Sequence, residues 1–261
     1  MRCSGSGGSG ASFLLPAEPG LDLKRVTTLA DIREPLREWL RDEPRREAAL
    51  LSTGYQGAVY LFELDGHPWV LKRAGKGPLT GWLHRLMLRR EAAAYARLDG
   101  IAGIPRSLGM LDDKWLVLEF IEGESFRGAH HELADRDGFL ARLHRVIRDF
   151  HAAGVAHGDL KRKHNILVTG DERPYVLDFG TAVCRDGTLL DRLLFDLIAR
   201  ADMNAWIKAK YRKDYRAISA EDAQWYRPSL IETGLSVLRR IWRTLTFRRW
   251  RKRRRRARRS S

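Results

Sequence analysis

Two kinds of hydrophobic spacing run along this chain, and they change over near its middle. From Leu51 onward, apolar and polar residues alternate through Ala58-Val-Tyr-Leu-Phe-Glu-Leu, pause at Asp65-Gly66, and resume at Trp69-Val-Leu-Lys. A period of two around Asp-Gly predicts a β-hairpin. Leu86 to Leu98 carries Glu91, Ala92, Tyr95 and Leu98 at helical spacings, which predicts a helix. Two more strands are predicted, one near 106–111 and one over Lys114-Trp-Leu-Val-Leu-Glu-Phe-Ile, and Gly123 then breaks the pattern. Beyond it, Phe139, Leu143, Val146, Ile147 and Phe150 mark an amphipathic helix ending at Gly154. Asn165-Ile-Leu-Val and Tyr175-Val-Leu-Asp read as short strands flanking a turn at 169–174, and the chain from Leu189 is mostly helical. Residues 21–51 hold Leu21, Leu23, Val26, Leu29, Ile32, Leu36, Trp39 and Leu40 among charges, consistent with a short strand and one or two helical turns. The predicted class is α+β, with no internal repeat. A Ser/Gly-rich leader (1–20) precedes a small antiparallel-sheet lobe with one main helix (21–122), then a mostly helical lobe (123–234) and a tail (235–261).

Composition sharpens this layout at one end only. The 261 residues carry 48 Lys and Arg against 33 Asp and Glu, a net charge of +15. Twelve Arg and one Lys, with no acid, lie between Arg239 and Arg259, so the rest of the chain is nearly neutral at +2. The charge therefore gives no support to a nucleic-acid-binding fold for the whole chain. A hydrophobic share of 44% argues against a disordered chain. No apolar run reaches the ~18 residues of a membrane-spanning helix. Cys3 and Cys184 form no disulfide framework, which fits a reducing compartment, and the leader lacks the apolar core of a secretory signal.

The chemistry concentrates in His157-Gly-Asp-Leu-Lys-Arg-Lys-His-Asn-Ile-Leu-Val-Thr and Tyr175-Val-Leu-Asp-Phe-Gly. Phosphoryl transfer to a hydroxyl needs a base that orients the acceptor, and oxygen ligands for Mg²⁺. Asp159 sits in a loop after a helix. Asn165 closes that loop before one strand, and Asp178 ends the paired strand, so the two oxygen donors come to the same end. Asp159 alone also reads as a turn residue, and His157 as a structural histidine bonding backbone near the loop.

As a set, these motifs resemble the protein-kinase superfamily over roughly Leu51 to Asp196. The resemblance implies a two-lobed protein-kinase-like fold using ATP and Mg²⁺. It implies Asp159 as catalytic base, and Asn165 and Asp178 as metal ligands. Lys72 in Val70-Leu-Lys-Arg matches the strand lysine that holds the phosphates of ATP, and Glu91, 19 residues later, its ion-pair partner. Gly54-Tyr-Gln56-Gly57-Ala-Val59 matches the glycine-rich loop. Glu119 to Gly123 matches the inter-lobe hinge, whose backbone at Glu119 and Ile121 would hold adenine, with Val59 and Val70 above the base. Taken singly, Lys72 also reads as a solvated strand-end lysine, Glu91 as a surface helix charge, and Val59 and Val70 as core.

Three departures narrow the resemblance. Ser52 stands where a first loop glycine often lies. Asp159 to Asn165 is six positions where five is common, which leaves His164 as a rival metal ligand. No Ala-Pro-Glu segment follows Asp178-Phe-Gly, leaving no room for a long activation loop or the usual peptide platform. These features are similar to the RIO-like kinases and to the bacterial kinases of the lipopolysaccharide inner core. That likeness also implies an Asp on the following helix bracing the catalytic loop, with Asp196 preferred to Asp191. The acceptor implied is a lipid-linked core sugar at the cytoplasmic membrane face, or a protein hydroxyl if the chain is a RIO-like serine/threonine kinase or ATPase. A nucleotide-binding pseudokinase or interaction module is the alternative of another class. In the tail, Leu235, Leu238, Ile241, Trp242, Leu245 and Trp250 recur among arginines. This pattern suits an amphipathic helix on an anionic membrane, with RNA contact or a solvated tail as the other readings. The expected location is cytoplasmic, peripheral on the inner face of the cytoplasmic membrane.

Overall fold

The computed structural model describes residues 28–53, 57–75, 77, 81–212 and 214–227. The expected leader and basic tail lie outside these residues. The described chain opens with α1 (Leu29–Arg41) and α2 (Glu43–Ala48), followed by β1 (Leu50–Thr53), β2 (Gly57–Leu64) and β3 (His67–Ala74). Then come α3 (Gly81–Arg97), β4 (Ser107–Leu111) and β5 (Trp115–Glu119), which completes a five-stranded antiparallel sheet in the order β1-β2-β3-β5-β4. The hairpin between β2 and β3 turns at Asp65 (φ 51°) and Gly66 (φ 75°), two positive-φ positions that suit Asp-Gly.

Period-two alternation gives the sheet two faces, each covered by a helix. On one face Tyr60, Phe62, Trp69, Leu71, Leu111, Trp115 and Val117 pack with Ile32, Leu36 and Trp39 of α1. The sequence predicted only one or two helical turns here, yet α1 runs for 13 residues through Pro35. An internal proline costs about 3 kcal/mol. Burying Ile32, Leu36 and Trp39, all on one face, contributes about 1.5–3 kcal/mol each and outweighs it. On the other face, α3 packs Leu88, Ala94, Tyr95 and Leu98 into a core continuous with the second lobe.

That lobe begins with β6 (Glu124–Ser125), α4 (Phe126–Ala129), the long α5 (Arg136–Ala152) and β7 (Val155–Ala156). β8 (Ile166–Val168) pairs antiparallel with both β6 and β9 (Pro174–Val176). β10 (Val183–Cys184) pairs with β7, after which α6 (Leu189–Lys210) and α7 (Ala220–Ala223) follow. Phe139, Leu140, Leu143, Ile147 and Phe150 of α5 are buried against Trp206 and Ile207 of α6. The architecture is mixed α+β and consistent with a two-lobed kinase-like fold.

Candidate active site

The site forms where β3, α3 and the loops around β8 and β9 meet. Lys72 lies opposite Val59 in the β2–β3 register, so their side chains share a face with Val70. Gly57 opens β2 at φ +151°, where an added Cβ would lie 1.8 Å from the Arg73 carbonyl oxygen. Only glycine lets β2 approach β3 this closely. Of the expected glycine-loop residues, Gly54 and Gln56 lie outside the described residues.

Lys72 Nζ donates to Glu91 Oε1 at 2.5 Å and to Asp178 Oδ1 at 3.2 Å. Burial acts to discharge Lys72, but the carboxylates of Glu91 and Asp178 outweigh it and hold its pKa above the ordinary lysine value. Burial pushes Glu91 up, against the pull of Lys72. It also acts to raise Asp178, but the Lys72 ammonium prevails and holds that carboxyl below its ordinary value. The lysine thus stays cationic and Asp178 anionic, the states a phosphate clamp and a metal ligand require.

Asp178 takes a left-handed backbone conformation (φ 66°, ψ 67°), unusual for a residue with a Cβ. Its amide donates to the Tyr95 hydroxyl at 3.2 Å, and its carboxylate is tied to Lys72. Next to it, Phe179 is buried between Tyr95 (ring centroids 5.2 Å apart), Phe150 (5.8 Å) and His157 (4.8 Å). Tyr95 was legible only as an apolar position, although it lies one turn after Glu91 on the same helix face.

The loop carrying Asp159, expected from the sequence to be catalytic, is braced by buried side chains. His157 is fully buried; its Nδ1 accepts from the Asp159 amide at 3.1 Å, and its Nε2 faces the Leu177 carbonyl at 2.8 Å. The Asp202 carboxylate accepts the backbone N–H groups of His157 (2.7 Å) and Gly158 (2.9 Å), and His151 Nε2 lies 3.2 Å from it. The bracing carboxylate is therefore neither Asp191 nor the preferred Asp196. Asp196 is exposed, whereas Asp202 is 1% exposed. Asp159 itself is buried, with Oδ2 3.0 Å from Arg162 Nε, a partner the sequence reading did not name.

The extra loop residue is absorbed by a 3₁₀ turn over Lys163–Asn165. Asn165 is buried and its Nδ2 donates to the Asp159 carbonyl at 3.2 Å, which fixes the amide plane. His164 is exposed and faces Ser125 Oγ at 3.2 Å and Arg127 Nη1 at 3.3 Å. Replacing Asn165 with alanine should therefore weaken Mg²⁺-dependent nucleotide binding, measured by titration with and without the metal. His164→Ala should change it little, and the reverse order would assign the metal to His164.

Glu119 ends β5 at the lobe junction. Its amide donates to the Arg106 carbonyl at 2.8 Å, and its carboxylate accepts from the Arg106 amide at 3.0 Å. The N–H of Glu119 is thus committed, and any backbone donor to a base at this edge falls to Ile121. The donors suited to a divalent ion are the amide oxygen of Asn165 and the carboxylate of Asp178. Two hard oxygens match Mg²⁺, which keeps phosphate and water ligands, better than they match an all-protein cage.

The fold and these contacts are consistent with a kinase-like two-lobed fold. Residues 80–197 match the family model for the RIO domain (RIO1), a member of the protein-kinase-like superfamily. The matched stretch includes Glu91, Asp159, Asn165 and Asp178, while Lys72 and Gly57 precede it and Asp202 follows it. The RIO domain implies kinase or ATPase activity in general, and such domains generally use ATP with Mg²⁺. No curated protein matches the chain.

Proposed function

We propose that this chain is an ATP- and Mg²⁺-dependent phosphotransferase that delivers the γ-phosphate to an alcohol. The observation that carries this reading is the lysine at the lobe junction, held at once by Glu91 (2.5 Å) and Asp178 (3.2 Å). Both contacts belong to an assembled kinase-like site. Lys72 and the loop ending at Gly57 would hold the phosphates of ATP, and Asn165 and Asp178 would hold Mg²⁺. The metal, when bound, supplies charge neutralisation at the phosphates. Asp159 orients the acceptor hydroxyl and takes its proton as the new O–P bond forms and the bond from the γ-phosphorus to the β–γ bridging oxygen breaks, so that ADP leaves with its phosphate charge steadied by Lys72. Tyr95, His157 and Asp202 keep these groups in place. Catalysis rests on positioning and electrostatics.

For the acceptor we propose a sugar of the lipopolysaccharide inner core, met at the cytoplasmic face of the membrane. Only eight residues, 180–187, lie between Phe179 and Thr188, the N-cap of α6, and they include β10, which leaves little room for a peptide platform. The arginine-rich segment 235–261 supports a peripheral membrane location, since each basic residue near an anionic surface adds about 1 kcal/mol of attraction. Among the described residues no helix is long and apolar enough to cross a membrane. A second reading, a RIO-like serine/threonine kinase or ATPase acting near RNA, is favoured by the RIO match. One experiment separates them. The full chain is incubated with labelled ATP and with core glycolipid in anionic or neutral vesicles, alongside a protein fraction. Label in the glycolipid, greater on anionic vesicles, is expected. Label in protein, or only in free phosphate, supports the second reading.

A further inference from the structure

The second lobe presents an apolar face to solvent. At the start of α6, Leu189, Leu190, Leu193 and Leu194 are 77%, 65%, 68% and 41% exposed. At 3.6 residues per turn, Leu190, Leu193, Leu194 and Leu197 share one face of this helix. The opposite face packs inward through Phe195, Asp202 and Trp206. A single exposed leucine is ordinary, but a contiguous stripe of them marks a surface made to be covered.

The last described residues run back along α6 toward this face. Asp222 accepts from Lys210 Nζ and from the Tyr211 hydroxyl. Five residues later, Asn204 clasps Arg227. The Arg227 amide donates to Asn204 Oδ1 at 3.2 Å, and its carbonyl accepts from Asn204 Nδ2 at 2.9 Å. Between these two contacts the chain has moved from the level of Lys210 to that of Asn204, ~9 Å toward the N-terminal end of α6. Asn204 lies seven residues after Leu197 and eleven after Leu193, both close to whole turns, so it stands on the leucine stripe itself. There the stripe is already covered, since Asn204 is fully buried.

The sequence that follows matches the uncovered part. Ile231, Leu235, Leu238, Trp242 and Leu245 recur at spacings of three and four, the period of one apolar helical face. Fourteen positions separate Ile231 from Leu245, as they separate Asn204 from Leu190, so an antiparallel helix would pair the two seams over ~21 Å. We propose that residues 231–245 dock antiparallel on the leucine face of α6 in the same chain. Two other occupants fit less well. Four leucines expose too little surface to supply the ~800 Å² per partner of a standard stable interface between copies. Residues 185–200 carry three Arg and three Asp, so the face has no basic excess to draw it to an anionic membrane. The docking goes beyond the phosphotransferase reading and does not depend on it. It bears on the site all the same, because α6 carries Asp202, which holds the loop of Asp159.

The test uses the full chain in solution. Hydrogen–deuterium exchange should find residues 231–245 protected. Leu238→Ser/Trp242→Ser should speed exchange at least tenfold across 189–197 as well as across 231–245. Leu190→Ser/Leu193→Ser, on the other side of the contact, should do the same, and both leucines are exposed, so the core is untouched. A second measurement does not rely on protection. In a Cys3→Ser/Cys184→Ser background, Leu193→Cys/Trp242→Cys should close a disulfide within one chain under mild oxidation. Leu86→Cys/Trp242→Cys, which uses an exposed leucine of α3 instead, should not. The proposal is overturned if Leu238→Ser/Trp242→Ser leaves 189–197 unchanged, if the disulfide forms only between chains, or if both cysteine pairs close equally. Protection of 189–197 that rises with chain concentration would give the face to a second copy. Protection that appears only with anionic vesicles would give it to a membrane. Either result also overturns docking within the chain.

Discussion

Replacing Asp159 with alanine should lower phosphoryl transfer by ~10²–10⁴-fold, the usual weight of a positioned proton acceptor. The dissociation constant for ATP should change little. The asymmetry follows from the division of labour across the cleft. Lys72, Glu91 and Asp178 form one bonded set on the nucleotide side. Asp159 is not one of the three, and its backbone carbonyl accepts instead from Asn165. Losing the carboxylate also frees Arg162, but that arginine is largely exposed and the exposed half of such a pair contributes little to stability. The loop therefore keeps its shape, held by the Asp202 contacts to His157 and Gly158. The measurement is transfer of labelled phosphate, paired with nucleotide titration of the same variant. Turnover retained by Asp159→Ala would remove the proposed mechanism, whichever acceptor is used.

Much of this site was legible because its parts are local. A lysine at the end of an alternating strand, a glutamate on the next helix, and two short strands each closed by an oxygen donor are all readable in short windows. The fold brings Lys72 within hydrogen-bond reach of both Glu91 and Asp178. What escaped depends on phase or distance. Choosing Asp196 as the brace relied on its neighbours Phe195 and Leu197, yet adjacent residues on a helix point to different faces and say nothing about the one between them. Asp202 is six residues further along α6, level with the catalytic loop. Asp191 lies eleven residues before Asp202, close to three turns and so near the same face, but ~16 Å away along the axis. It is spent instead on the helix start, where its amide donates to Thr188 Oγ1 at 3.0 Å. The length of α1 was missed because Pro35 argues against a helix in sequence, while the sheet face that outweighs it is assembled from β2, β3, β4 and β5.

Asp202 supplies the strongest stability test. Asp202→Ala would leave the buried amide of His157 and the part-buried amide of Gly158 without their acceptor, and each such loss costs up to about 1–3 kcal/mol. The expected fall in melting temperature is on the order of 10 °C for a chain of this size, followed by circular dichroism. The amides belong to the two residues preceding Asp159, so transfer should fall further than nucleotide affinity does. Asp202→Asn keeps one carbonyl oxygen in place, and should recover part of both stability and turnover. The comparison that decides is Asp196→Ala. As an exposed helix residue it should stay within about 0.5 kcal/mol of the parent. If Asp196→Ala destabilises the fold as much as Asp202→Ala does, the loop is not braced by the carboxylate that the hydrogen bonds identify.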